Sequence, residues 1–473
     1  MQKLLVAAMV LLVSSAMNAE RLVRIPAVTD SDFISVQSMG YDITAGSRDE
    51  GFVDVCIADR YVEETLQRYP DARLLPLEWS TLVSTDNTEM GYYYGPNENN
   101  VFWATLAESS DLVDTPVSYG TSFEGRDLYY VRISNAGAGA PAILFTALTH
   151  AREAGSNAVL IDFASWLSAE YGSDTMATFI LDNSQVYFVP MINVDGYYYN
   201  LPSGANNHRK NMNFSDPVAS SGIDLNRNFT YMWGYDNIGS SPDPYSETYR
   251  GHQAASEVET QALISFMQSI NPIGGFHYHT YGGYLLYPYS YNNTPTPHQS
   301  TFQNWAVELT SQNNYQYGRC GEILYNANGD AIDWSYGENG YLFYTPEVDD
   351  NGFWGSQNDS TLLATNNLEC RFMNKRLCMF LLNYTGISQE SSEGTEESGL
   401  YVSLSENPVS SVLSYEITGA GNVTVSILDV SGRTIAYPSD GTWAVPRNIP
   451  DGVYLIRAET ASSSVTERFT VLR

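Results

Sequence analysis

The sequence predicts an α/β sandwich built on a buried, largely parallel sheet, with a small α/β unit before it and a β-sandwich after it. Three observations predict this. From about Tyr92 to Tyr384 strand-like and helix-like segments alternate, which places helices against the faces of one sheet. Within that region Ile143, Leu144 and Phe145 are consecutive, as in a strand covered on both sides rather than one. After Gly399 the texture changes to short strands of period two, such as Val423, Val425 and Ile427.

The elements follow in chain order. Lys3, the apolar run Leu4 to Val13 and the small residues ending near Ala19 describe a secretory signal peptide over 1–19. That run is too short for a membrane span, which needs roughly 20 apolar residues. Residues 20–91 alternate short apolar runs (Phe52 to Ile57, Leu74 to Leu77) with a helix-like Tyr61 to Tyr69, and contain no His. This reads as a folded pro-segment.

Within the domain over 92–386, Pro141 to Thr149 is a buried strand. A helix follows, marked by Val159, Leu160, Phe163, Trp166 and Leu167. Gln185 to Asn193 is a further strand, and Ser256 with Glu259 form a capping box before Leu263, Phe266, Met267 and Ile270. Strands at Ile273 to His279 and Gly340 to Val348, and a helix from about Thr361 to Asn383, complete it. Residues 387–399 carry Ser, Gly, Thr and Glu without a large apolar cluster and read as an acidic linker. Residues 400–473 are the separate β-sandwich, with turns at Ser431-Gly432 and Asp451-Gly452.

Charge and cysteines narrow the function classes. A formal net charge of −31 excludes nucleic acid as a partner, because its phosphates would be repelled. No transmembrane segment is expected, and a monomer is. The four cysteines are Cys56, Cys320, Cys370 and Cys378. Cys370 and Cys378 fall on one predicted helix, where eight residues rise about 12 Å, too far to be bridged to each other.

His150-Ala151-Arg152-Glu153 lies at the C-terminal end of a predicted strand, where open α/β sheets bind ligands. An imidazole and a carboxylate three residues apart can face one ion, and two His with one Glu form a known catalytic zinc set. The third ligand is available on Phe276-His277-Tyr278-His279, whose alternation turns both histidines to one side. Arg209 in His208-Arg209-Lys210, and Asn226 and Arg227 in Asp224-Leu225-Asn226-Arg227, supply cationic and amide donors suited to a carboxylate. Glu347 follows Thr345-Pro346 on an apolar strand, where a charge needs a partner or a task.

Over Tyr92 to Tyr384 these motifs resemble the zinc metallocarboxypeptidases. The resemblance rests on Glu124-Gly125-Arg126, His150-Ala151-Arg152-Glu153, Asn193-Val194-Asp195-Gly196-Tyr197 and Gly222 through Phe229. Further along it rests on Tyr249-Arg250-Gly251, Ser256 to Thr260, His279-Thr280-Tyr281 with Tyr287-Pro288-Tyr289, Tyr325 through Tyr336, and Thr345-Pro346-Glu347. It implies a mixed sheet of about eight strands with helices on both faces and one Zn²⁺ per catalytic domain. His150, Glu153 and His279 would bind the metal, His279 in preference to His277.

The resemblance further implies a general base at Glu347 and a carbonyl-polarising Arg209. Asn226 and Arg227 would hold the terminal carboxylate, and Tyr325 would cap bound substrate. Arg152 would be an auxiliary substrate contact, and Asp224 would orient His150. The implied activity is removal of single C-terminal residues from peptides, a zinc-activated water being the nucleophile. Alternatives are a zinc amidase of cell-wall peptides and a non-catalytic peptide-binding homologue.

Two residues compete for specificity. By the same resemblance, Ile332 falls on a pocket-lining position that would suit apolar or aromatic ends, whereas Asp330 would either suit Lys or Arg or serve as a turn residue after Gly329. The tail, with Glu406-Asn407-Pro408, Asp429 to Arg433, Asp451-Gly452-Val453-Tyr454 and a basic end from Arg468 to Arg473, resembles the sorting domain of type IX secretion cargo. That implies the type IX machinery as a partner and secretion to the medium or surface of a Gram-negative bacterium.

Overall fold

Alternating apolar residues near the start of the chain form a four-stranded antiparallel sheet in the computed structural model. Strands β1 (Glu20–Pro26), β2 (Asp42–Ser47), β3 (Phe52–Ala58) and β4 (Arg73–Leu74) lie in the order β2-β3-β1-β4. Helix α1 (Asp59–Arg68) packs Tyr61, Val62 and Leu66 onto buried Val23, Ile25, Val53, Val55 and Ile57. The expected α/β character of this segment is present.

The structure describes residues 20–74 (except 28, 30–31, 33–34, 37–38, 40–41 and 48–50), 90–390 (except 202–205, 216–220 and 350–351) and 401–471 (except 405–408, 419–422, 430–433, 448, 450–451 and 461–463). The signal peptide, the Leu75 to Leu77 run, most of the acidic linker and the motifs around Asn407 and Gly432 lie outside the described residues.

Next come α2 (Pro96–Ser109), β5 (Val117–Thr121), β6 (Asp127–Ile133), β7 (Ala142–Thr146), α3 (Ala154–Glu170), α4 (Thr175–Asn183), β8 (Gln185–Val189) and α5 (Val194–Tyr199). After a 3-10 turn at Leu225–Arg227 follow α6 (Val258–Ile270), β9 (Gly274–His277), β10 (His279–Thr280), β11 (Tyr284–Tyr287) and α7 (Gln299–Leu309). The series closes with β12 (Gln316–Arg319), α8 (Cys320–Ile323), α9 (Ala331–Asn339), β13 (Leu342–Val348) and α10 (Ser360–Glu390).

The large sheet has nine strands in the order β12-β11-β13-β9-β7-β8-β6-β5, with β10 paired to β13. The inner pairs β13–β9, β9–β7 and β7–β8 are parallel, as are β12–β11 and β10–β13. The pairs β11–β13, β8–β6 and β6–β5 are antiparallel. β7 is buried along its whole length, as its run of apolar residues predicts.

Successive β7 side chains serve opposite faces. Leu144 joins Leu263, Phe266 and Met267 of α6 and Trp334 of α9 in one cluster. Phe145 meets Phe163 of α3 with ring centroids 5.3 Å apart, and Phe188 beside it meets Trp103 of α2 at 5.4 Å. Fully burying each such ring contributes about 1.5–3 kcal/mol. Helices thus cover both faces.

Two local expectations fail. The N-cap of α6 is Glu257, with no side-chain capping bond, so Ser256 and Glu259 are not its capping box. Ser256 Oγ instead donates to Glu257 Oε1, and Glu259 accepts from Phe123 N at 2.9 Å. Tertiary partners outcompete the local cap. Helix α10 runs to Glu390, so residues 387–390, assigned to the linker, continue the helix.

The chain divides into two units: residues 1–134, 142–168 and 185–374 in one, and 135–141, 169–184 and 375–473 in the other. The tail in the second unit is a sandwich of β14 (Tyr401–Leu404), β15 (Val412–Thr418) and β18 (Thr442–Ala444) against β16 (Thr424–Asp429), β17 (Thr434–Ala436), β19 (Gly452–Glu459) and β20 (Ser464–Val471). Leu413, Tyr415 and Trp443 from one sheet share a core with Ile427, Ile456 and Phe469 from the other. Cys320, Cys370 and Cys378 are free buried thiols.

Candidate active site

The chain leaves β7 and turns sharply, with Leu148 at φ 52°, so that His150 and Glu153 follow before α3 begins. His279 enters from β10, which pairs in parallel with β13. Three donor atoms converge there. His150 Nδ1 lies 2.6 Å from Glu153 Oε1, His279 Nδ1 lies 2.9 Å from Glu153 Oε2, and the two Nδ1 atoms are 3.1 Å apart.

All three residues are buried. Two imidazole nitrogens aimed at one carboxylate form a donor set for a cation, and two His with one Glu match catalytic zinc. Burial alone would raise the Glu153 carboxyl, but His150 and His279 hold it well below its usual range. Among the described residues this is the one group of metal-holding character.

Asp224 sits behind the triad. Its Oδ1 is 3.2 Å from His150 Nε2, and its Oδ2 accepts from Arg209 Nη2 at 2.8 Å. The bond to Nε2 leaves His150 Nδ1 free to present a lone pair. Burial again opposes ionisation, yet Arg209, then Arg227 and His150, hold the Asp224 carboxyl well below its usual range. Arg209 Nη1 lies 3.3 Å from His150 Nδ1, which puts a fixed positive charge next to the metal donors.

The 3-10 turn at Leu225–Arg227 carries Asn226 and Arg227 to the same place. Asn226 Nδ2 is 3.5 Å from His279 Nε2, and its Oδ1 accepts from Ala331 N at 3.0 Å. Arg227 donates through Nε to Gly239 O and through Nη1 to Asn226 O, at 2.9 and 2.8 Å. Its carbonyl lies against Gly329, where a Cβ would come within 2.6 Å and φ is +74°, so only glycine suits that turn. The Arg227 guanidinium stands 5.9 Å from the Tyr325 ring centroid.

Glu347 pairs in register with His279 across β10 and β13. Burial and then the nearby Glu153 charge push its carboxyl well up. Asp330 caps α9 by accepting from Asp333 N at 3.0 Å, and burial raises its pKa to about 6. Ile332 lies in the core cluster with Leu225, Phe229 and Trp334. Arg152 is fully buried, its guanidinium 4.1 Å over the Phe353 ring and Nη1 directed at Asn207 O. His277 accepts the core role, held by Thr146 Oγ1 at 2.9 Å and Ser335 Oγ at 3.0 Å, and burial lowers its pKa to about 3.

Sequence reading passed over Asn200 and Asn211, whose carboxamides fasten the loops that carry these groups. A neutral amide at a helix end or in an irregular loop carries no charge or spacing signal that would single it out.

A model of the zinc carboxypeptidase family matches residues 100–370, which hold the converging donors, Arg209, Asn226, Arg227, Tyr325 and Glu347. Carboxypeptidase A1 of Rattus norvegicus is 31% identical over 280 residues, covering 58% of this chain and 66% of that protein. Carboxypeptidase B of Canis lupus familiaris is 31% identical over 286 residues, covering 59% and 68%. The chain therefore spans slightly less than two thirds of the carboxypeptidase A1 relative. The solved carboxypeptidase A from Helicoverpa armigera superposes with a TM-score of 0.67 at 20% identity, over 77% of this chain and 98% of that one, a likeness of fold. The family match covers more than half of the chain, and the buried His150–Glu153–His279 set fits its metal: this chain belongs to the zinc carboxypeptidase family.

Proposed function

We propose that the protein is an exported zinc carboxypeptidase that removes single residues from peptide C-termini. The observation that carries this reading is the buried meeting of His150, Glu153 and His279 beside the Arg209–Asp224 pair. Zinc held there supplies a Lewis acid and acidifies water toward pKa ~7.

The chain's own residues do the rest. Glu347, in register with His279, accepts the proton of the attacking water and passes it to the leaving amine. Arg209 donates to the scissile carbonyl oxygen as negative charge grows on it. Asn226 and Arg227 take the substrate's free carboxylate, Arg227 in two parallel bonds, which makes the enzyme an exopeptidase. Ile332 and Asp330 bound the side-chain pocket, and Tyr325 covers the bound end.

Residues 20–91 act as a pro-segment. Tyr325 packs against the buried cluster that includes Val23, Ile25, Val53 and Val55 of this segment, which supports an inactive form whose capping tyrosine is immobilised. Residues 1–19 direct export, and the β-sandwich over 400–473 is the type IX sorting domain of a Gram-negative secreted or surface protein, the catalytic domain acting as a monomer.

Hydrolysis of blocked dipeptides ending in Phe, Leu, Arg or Lys, before and after proteolytic trimming, tests the reading. Chelator-sensitive release that rises on trimming is expected. Equal rates before and after trimming sink the pro-segment, and no release from zinc-loaded trimmed protein sinks the carboxypeptidase.

A further inference from the structure

The segment carrying Arg209 has no regular secondary structure, and yet its guanidinium must keep a fixed distance from the metal donors. Residues 207–211 belong to no helix or strand. What fixes them is a set of three buried carboxamides, each with 0% exposure: Asn193, Asn200 and Asn211.

Asn200, at the C-terminal end of α5, donates through Nδ2 to Ala151 O and His208 O, both at 2.9 Å, and accepts from His208 N at 2.6 Å. One side chain thereby joins the turn of the metal donors to the residue before Arg209. Asn193, at the other end of α5, donates to Lys210 O at 2.9 Å and Arg209 O at 3.2 Å. The backbone adds Ala151 N to Arg209 O at 2.9 Å.

Asn211 joins the same segment to the turn of Asp224. Its Oδ1 accepts from Ile223 N at 2.9 Å, its own N–H donates to Ile223 O at 3.0 Å, and its Nδ2 donates to Glu257 Oε2 at 2.7 Å. Three loops thus meet: the one with His150, the one with Arg209 and the one with Asp224. The contacts between those residues, 3.3, 2.8 and 3.2 Å, depend on how the loops are held.

We propose that Asn200 and Asn211 are positioning residues for the reaction, setting the triangle of His150, Arg209 and Asp224 through backbone clamps on their three loops. This rests on the carboxypeptidase reading above. The chemistry requires an amide. Nδ2 of Asn200 faces two carbonyl oxygens and its Oδ1 faces an N–H, so a carboxylate of the same shape keeps the acceptor, loses both donors and sets charge against the two carbonyls. An oxyanion donor and a metal ligand tolerate displacement of only about 0.5 Å, and partners of metal ligands change metal affinity or activity by about 10–100-fold.

The test uses the full-length chain with Asn200→Asp, Asn200→Ser and Asn211→Asp, before and after identical trimming. Zinc affinity is measured by chelator competition, melting temperature by calorimetry, and kcat and KM per bound zinc on a blocked dipeptide. The expected result is a loss of about 10–100-fold in kcat per bound zinc or in zinc affinity, with KM within about threefold. Unchanged zinc affinity and unchanged kcat per bound zinc in the folded variants, whatever their melting temperature, would mean that these amides only stabilise the fold, and the proposal fails. Should the unsubstituted protein bind zinc and hydrolyse nothing, the carboxypeptidase reading falls, while the zinc affinities still decide whether the clamps position His150.

Discussion

The Asp224 carboxylate divides its two oxygens between two residues: Oδ2 takes Arg209 Nη2 at 2.8 Å, and Oδ1 faces His150 Nε2 at 3.2 Å. One buried anion therefore sets both the tautomer of a metal donor and the place of the cation next to it. Asp224→Asn keeps the shape and removes the charge. Zinc affinity by equilibrium dialysis is expected to fall about 10–100-fold. Unchanged affinity would remove Asp224 from the site.

On the proposed roles, Arg209 and Arg227 are expected to separate in kinetics. Arg209→Ala is expected to lower kcat about 10²–10³-fold with KM little changed, because its donor acts on charge that develops during the reaction. Arg227→Lys is expected to raise KM and spare kcat, since a single ammonium cannot replace a planar fork. Steady-state kinetics on one blocked dipeptide distinguishes the two, and a KM effect at Arg209 with a kcat effect at Arg227 would reverse the assignments.

Glu347→Gln is expected to cost about 10²–10⁴-fold in kcat while the protein still binds one zinc. Loss of zinc from this variant would instead make Glu347 a ligand.

On the proposed reading, in which Asp330 bounds the side-chain pocket, its titration would give specificity a pH dependence. Its pKa of about 6 means the carboxyl is neutral below that pH and charged above it. The ratio of Arg-ending to Leu-ending hydrolysis is expected to rise as pH passes through 6, and Asp330→Asn to flatten it. Using a ratio cancels titrations common to both substrates. A flat ratio in the unaltered enzyme would leave Ile332 alone to set the pocket.

Glu259 is the buried carboxyl whose burial raises its pKa from 4.5 to about 7. Below pH 4.5 folded and unfolded chains both hold its proton. Between 4.5 and 7 the unfolded chain releases a proton that the folded one keeps, so stability falls, and above 7 the loss is complete. Glu259→Gln is expected to match the parent at pH 4.5 and exceed it at pH 8 by up to roughly 3 kcal/mol, read from urea unfolding. Equal stability at pH 8 would contradict this.

Much of the candidate site could be read in the sequence, because its groups are charged and imidazole residues set in short, recognisable motifs. His150, Glu153, His279, Arg209 and Asp224 meet within hydrogen-bonding reach of one another, and Arg227 Nη1 lies 4.0 Å from Asp224 Oδ2. β7 was legible because it is apolar throughout, whereas the start of α6 was not, since Glu259 binds Phe123 N from a distant hairpin. The burial of Arg152 beneath Phe353 is likewise a contact between residues two hundred positions apart. The amide clamps at Asn200 and Asn211 carry no periodicity at all, and only folding reveals which carbonyls they face.

In the proposed function, a bound metal acts only on substrates with a free C-terminus. The most direct measurement compares matched peptides, one ending in a free carboxylate and one in an amide, using trimmed protein that is zinc-loaded, chelated and reloaded. Release is expected only from the free-acid peptide, lost on chelation and restored by about one zinc per chain. Equal cleavage of the amide, or release that survives removal of the metal, would contradict it.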